Sequence, residues 1–123
     1  MVTGQVTSDR EAVIPAEVRG SAGHQEKFPA VLDTGFTEYL TLSSETISRL
    51  GLRHVHTAQV VLGDGSEVQV PVYRAEVFWH EQWRLIYVHE TEGGALVGMS
   101  LLYGSILKIR VVDGGEVTIE QLI

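Results

Sequence analysis

The residues best placed to do chemistry stand where Ala30-Val31-Leu32 runs into Asp33-Thr34-Gly35. The apolar run predicts a buried strand, and an unpaired carboxylate at its end must be compensated or take up a proton. Gly35 permits a tight turn with positive φ and close approach of another backbone. Thr34 carries a hydroxyl that can donate to one group and accept from another. In such a turn the carboxylate is either hydrogen-bonded by the turn or set against a second carboxylate. Two carboxylates about 3 Å apart cannot both ionise, so they share a proton and titrate with widely split apparent values. One is then a base and the other an acid. Held on one water, the pair can remove its proton while protonating a substrate carbonyl. The plain alternative is a structural turn aspartate, since Asp-x-Gly turns are common.

Other polar groups offer less. His54-Val55-His56 places two imidazoles on one strand face, but zinc wants a third ligand, so they read as solvent-facing. His80-Glu81 and His89-Glu90 begin like a zincin motif, yet Arg84 and Gly93 stand where its second histidine belongs. Ser100 and Ser105 lack a G-x-S-x-G elbow. Gly93-Gly94 and Gly114-Gly115 lack the spacing of a phosphate loop. Trp79, Trp83 and Tyr87 read as core or cross-strand pairs. No metal and no cofactor are expected.

Composition narrows the field. The chain has 123 residues, which predicts one domain over 1–123. Hydrophobic content is 44% and charged content 20%, the balance of a globular protein rather than a disordered one. Sixteen acidic against nine basic residues give a net charge of -7, which argues against a nucleic-acid partner. The absence of cysteine removes disulfides, a thiolate nucleophile and cysteine zinc sites. No basic n-region with an apolar h-region opens the chain, and no apolar stretch approaches a bilayer's thickness. The expectation is a cytoplasmic protein without a membrane partner.

The elements that must position Asp33 read as short strands with glycine-rich turns. Residues 10–19 form a strand in which Pro15 predicts an edge or a bulge. Gly20–Gly23 turn it into a second strand, 27–33, that ends at Asp33. Residues 38–42 alternate as a third. Ser43 or Ser44 caps a helix of about two turns, with Ile47 and Leu50 on one face and Gly51 as its stop. Segments 58–62 and 66–72 flank Gly63-Asp64-Gly65, a strong hairpin signal. Along 66–79 the apolar parity changes from Val68, Val70 and Val72 to Tyr73, Ala75, Val77 and Trp79, predicting a bulge or a sharp bend near Pro71–Tyr73. A second hairpin turns at His80-Glu81-Gln82, with Trp83, Leu85 and Tyr87 on one face. A third runs 106–112, turns at Asp113-Gly114-Gly115 and returns through 116–120. The fold class is mainly β with one or two short helices.

With these elements in order, Val31-Leu32-Asp33-Thr34-Gly35 resembles the active-site motif of retropepsin-like aspartic proteases, apolar-apolar-Asp-Thr/Ser-Gly. The hairpin at Leu62, Gly63, Asp64 and Gly65 resembles the flap of that family. Ala95-Leu96-Val97-Gly98 resembles its second apolar-apolar-Gly element, and Leu101-Leu102 the start of the helix that follows. The similarity covers essentially the whole chain and lies closest to small prokaryotic members. It implies a retropepsin-like β-barrel, Asp33 as catalytic aspartate and Thr34 as the hydroxyl that interlocks two subunits. It also implies Gly35 as the active-site loop glycine, Gly98 as the glycine of the second element, and 62–65 as substrate-covering residues. Phe36 departs from the Ala or Ser common after the glycine in retroviral enzymes; its ring must narrow the substrate channel or turn into the core.

The motif occurs once, whereas a carboxylate pair needs two. Chemistry and resemblance therefore lead to a homodimer with one Asp33 from each subunit across a two-fold axis. By analogy the terminal strands, 2–6 and 116–122, would build the interface sheet. The expected activity is that of an aspartic endopeptidase acting on an extended peptide or protein substrate, without metal or covalent intermediate. The alternative is a catalytically silent retropepsin-fold module for peptide binding or dimerisation. A third reading, a stand-alone structural β-barrel, predicts no pairing of Asp33.

Overall fold

The computed structural model describes residues 1–123. Ten strands and two short helices alternate as β1 (Val2–Val6), β2 (Ala12–Arg19), β3 (Gln25–Leu32), β4 (Leu40–Leu42), α1 (Ser44–Leu50), β5 (Arg53–Val61), β6 (Glu67–Trp79), β7 (Gln82–Glu90), β8 (Leu96–Val97), α2 (Met99–Leu102), β9 (Ser105–Ile109) and β10 (Glu116–Gln121). The chain is mainly β, as its alternating patterns require.

Local signals place most of these elements. Ser43 caps α1 by accepting the Thr46 N–H on its hydroxyl at 3.2 Å. Gly51 ends the helix in the left-handed region at φ 62°, and Ile47 and Leu50 are its buried face. At the tip of the β5–β6 hairpin the Leu62 carbonyl accepts from the Gly65 N–H at 2.9 Å, and Gly65 has φ 85°. The Asp64 carboxylate accepts from the Ser66 N–H at 2.9 Å and the Ser66 hydroxyl at 2.6 Å. These bonds hold the Asp64 carboxyl below the usual carboxylate range. The β6–β7 hairpin turns through His80 and Glu81, both at positive φ (49° and 66°). The twist of a two-residue hairpin demands this geometry even without Asn-Gly.

All ten strands belong to one sheet, in the order β5-β6-β7-β4-β8-β3-β2-β1-β10-β9. A further contact, Val18↔Val77 and Arg19↔Glu76, brings β6 against β2, but the sheet still ends at two edges, β5 and β9. A core cluster of 20 buried residues, among them Ile14, Val18, Leu40, Val88, Val97, Leu101 and Ile119, packs against the sheet. No helix is long and apolar enough to cross a membrane.

Three expectations change in detail. Pro15 lies in an interior strand, paired with β3 at Pro15↔Pro29. It is tolerated because β2 borders β1 only at Ala12 and Val13 and β6 only at Val18 and Arg19. Pro15 occupies the gap between the two neighbours, where no ladder N–H is needed. The bulge expected near Pro71–Tyr73 sits one strand over. His54 pairs with Tyr73 and His56 with Val72, leaving Val55 as the extra residue in β5. β6 itself turns Val72 to one face and Ala75, Val77 and Trp79 to the other, and Val72 is buried outside the main cluster. Lastly, β10 has no free edge. It pairs with β1 over Val2↔Ile119 to Gln5↔Glu116 and with β9 over Val117↔Ile109 to Gln121↔Ser105. The terminal strands expected to form an interface sheet are thus satisfied within one chain.

Candidate active site

Strands β3 and β4 follow each other in sequence yet are not neighbours in the sheet. The two-residue strand β8 runs between them, parallel to β3 at Val31↔Leu96 and Leu32↔Val97 and antiparallel to β4 at Leu40↔Val97. The loop 33–39 therefore crosses over the end of β8. Its first residue is tied to β8 by the Asp33 N–H donating to the Val97 carbonyl at 2.9 Å. Within the loop the Asp33 carboxylate accepts from the Gly35 N–H at 2.9 Å, and the Asp33 carbonyl accepts from the Phe36 N–H at 3.1 Å. The turn satisfies part of the carboxylate's demand for donors. The run into Asp33 is less buried than its composition predicts. Ala30 is buried, Val31, Leu32 and Asp33 are partly exposed, and Thr34 and Gly35 are exposed. The carboxylate is presented at a surface rather than sealed under one.

Gly98 sits beneath the far side of this loop. A β-carbon there would collide with the Glu38 carbonyl oxygen and lie 2.5 Å from the Phe36 ring and 2.7 Å from its carbonyl oxygen. Only glycine admits so close a backbone approach. The contact is locked by hydrogen bonds on both sides. The Gly98 N–H donates to Tyr39 (3.0 Å), the Met99 N–H to Phe36 (2.7 Å), the Ser100 N–H to Glu38 (3.2 Å), and the Ser100 hydroxyl to the Thr37 carbonyl (2.6 Å). Ser100, set aside as a nucleophile, is a loop clamp. The two apolar-apolar-Gly segments are thus brought together, Asp33, Thr34 and Gly35 on one and Gly98 on the other.

Two residues that shape the site carry no motif. Thr41 is the one buried polar side chain of the core. Its hydroxyl accepts from the Leu96 N–H at 2.9 Å and donates to the Gly94 carbonyl at 3.3 Å, fastening β8 to β4. A lone polar residue inside Leu40-Thr41-Leu42 was the available signal. His89 pairs with Thr41 in register, and its ring meets Phe36 edge-on at 6.1 Å. Burial lowers its pKa; Glu38 opposes this and His56 reinforces it. Phe36 thus turns over His89 and Gly98. No sequence pattern announces His89, because its role depends on which strands become neighbours.

The hairpin carrying Leu62, Gly63, Asp64 and Gly65 is a projecting arm. Nearly all of β5 and the first three residues of β6 are exposed, including Val61 and Val68, and so is Leu62 at the turn. The hydrogen bonds at its tip all close within the hairpin, and it is not bonded to the Asp33 loop. No cluster of three or more potential metal ligands is present, and Asp-Thr-Gly occurs once in the sequence. The chain matches no family model, no curated protein and no solved structure.

Proposed function

We propose that this chain is one half of an aspartic endopeptidase of the retropepsin type. Two copies would set their Asp33 carboxylates across a two-fold axis around one water. One carboxylate takes the water's proton while the other, protonated, polarises the scissile carbonyl; the proton then passes to the leaving amine. No metal, cofactor or acyl-enzyme is required. Thr34 would interlock the two loops, and the β5–β6 arm, with Leu62, Gly63, Asp64 and Gly65 at its tip, would cover an extended peptide bound as an added strand. Catalysis needs one retained proton, so activity is greatest at acidic to mildly acidic pH and falls once the pair loses it.

The observation that supports this reading best is the passage of β8 between β3 and β4. It presses Gly98 under the Asp33 loop and displays that loop at the surface. A turn aspartate with no further role has no need of such a platform. The second reading, a silent peptide-binding or dimerisation module, draws on the hydrogen bond from the Gly35 N–H, which accounts for Asp33 as a turn residue. Asp33→Asn separates the two. Asparagine keeps the turn acceptor but cannot carry the shared proton. With denatured protein or a peptide library as substrate, the endopeptidase reading expects wild-type cleavage and loss of turnover in Asp33→Asn. Undiminished cleavage by the variant overturns it, and peptide binding without turnover across pH by the wild type favours the silent module.

A further inference from the structure

We propose that the cleft between the β6–β7 turn and the end of α2 binds a small aromatic carboxylate. This site goes beyond the peptidase reading. Trp79, His80, Trp83, Arg84, Tyr103 and Ser105 are among its lining residues, and Asp33, Thr34 and Gly35 are not. Its volume of about 490 Å³ falls within the roughly 300–1,000 Å³ of small-molecule sites. The β6–β7 hairpin brings Trp79 through Arg84 to one side, and the connection from α2 to β9 brings Tyr103 and Ser105 to the other. The 2.8 Å hydrogen bond between His80 Nε2 and the Ser105 hydroxyl ties the two sides together.

Arg84 is the anchor. It is half-buried, yet its side chain enters no ion pair and no hydrogen bond; the arginines so engaged are Arg19 and Arg49. Its guanidinium lies over the Tyr39 ring at 5.3 Å. That contact fixes the group in place and leaves its N–H donors unused. No Asp or Glu side chain lines the cleft, in a chain whose net charge is -7. His80 adds no charge near neutral pH, because burial first, and then the N-terminal amino group and Arg84, lower its pKa. One unpaired guanidinium among neutral walls fits a monoanion. A carboxylate matches its planar fork, whereas the second charge of a phosphate would lack a partner.

The walls select the body that carries the charge. Trp79 and Trp83 stand on one side and Tyr103 on the other, and Tyr103 is 85% exposed, a ring left uncovered at the mouth. Aromatic rings pair in offset or edge-on contact, so a flat ring fits among these three. The walls also hold polar capacity that the chain leaves unused. Trp79 Nε1 and His80 Nδ1 are buried without a partner, whereas buried polar groups almost always have one. The indole nitrogen is a donor only. Its complement, like that of Arg84, is an acceptor.

The chain has two tryptophans, and both line this cleft. Their two indole N–H signals in a nitrogen–proton correlation spectrum therefore report on it. Phenylacetate should move both signals saturably, with a Kd on the order of a millimolar. Phenylacetamide, the same shape without the charge, should bind about tenfold more weakly, and acetate should move neither signal. Arg84→Ala should bind the acid no better than the amide, and Arg84→Lys, which keeps the charge, should still prefer the acid. Signals unmoved by phenylacetate at about ten times that concentration overturn the site. Equal binding of acid and amide by the wild type overturns the carboxylate. An acid preference that survives in Arg84→Ala overturns Arg84 as the anchor. The wild-type comparison of acid with amide decides even if Arg84→Ala fails to fold, and no readout depends on peptide cleavage by Asp33.

Discussion

Gly98→Ala isolates the platform beneath the Asp33 loop. The new β-carbon would meet the Glu38 carbonyl oxygen, the Phe36 ring and the Phe36 carbonyl oxygen. Two of the three are backbone, so no rotamer change relieves the clash. Loop 36–39 must move outward, away from the four hydrogen bonds it makes with Gly98, Met99 and Ser100. Overpacking costs about 1–3 kcal/mol, and each weakened bond adds about 1 kcal/mol. If half the bonds give way, the loss is about 3–5 kcal/mol, a large part of the roughly 5–15 kcal/mol that holds a domain together. Urea denaturation followed by the fluorescence of Trp79 and Trp83 should show the midpoint falling by roughly 1–2 M with an unchanged slope. Gly94→Ala is the control, because a β-carbon there meets nothing within 4 Å; it should be near neutral. A loss below about 1 kcal/mol in Gly98→Ala, with the loop amides still protected from exchange, would refute the reasoning.

Other perturbations address the neighbours of the site. Thr41→Val keeps the shape of a buried side chain but leaves the Leu96 N–H without its acceptor, so it should cost about 1–3 kcal/mol by urea denaturation. His80 is held neutral by burial, with the N-terminal amino group and Arg84 acting in the same direction. Its folded pKa lies below the unfolded value of about 6.5. The stability it contributes is therefore complete above that pH and is lost as pH falls through the folded pKa. His89, lowered by burial, adds to the same slope. Thermal melts should show Tm falling as pH drops below that range, less steeply in His80→Gln; an unchanged slope in the variant counts against His80 as a source.

What could be read from the residues was whatever is decided within a few positions. Ser43 and Gly51 bounded α1, Gly63-Asp64-Gly65 marked one hairpin and Asp113-Gly114-Gly115 another. Alternation gave β6 the buried face of Ala75, Val77 and Trp79, but it misled for β7. The face of Trp83, Leu85 and Tyr87 turns outward, with Leu85 and Tyr87 exposed, and Ile86 and Val88 are the buried residues. Whatever depended on distant partners was not legible. The two-residue β8 is too short to carry a period, yet its insertion between β3 and β4 decides what lies beneath Asp33. The parity change near Val72 was visible, but the compensating extra residue fell in β5, since a bulge belongs to a strand pair rather than one strand. Ala30-Val31-Leu32 looked buried by composition, but the exposure of its last residues follows from the loop it feeds. Pro15 pointed to an edge or a bulge, whereas the strand holding it is interior, because two different neighbours share its flank and leave a gap at Pro15.

The distance between the two Asp33 carboxylates in the assembled protein tests the central claim most directly. A crystal structure at mildly acidic pH should show their nearest oxygens about 3 Å apart and both in contact with one water, the separation at which two carboxylates share a proton. Asp33 carboxylates standing beyond reach of a common water in every assembly present in solution would contradict it.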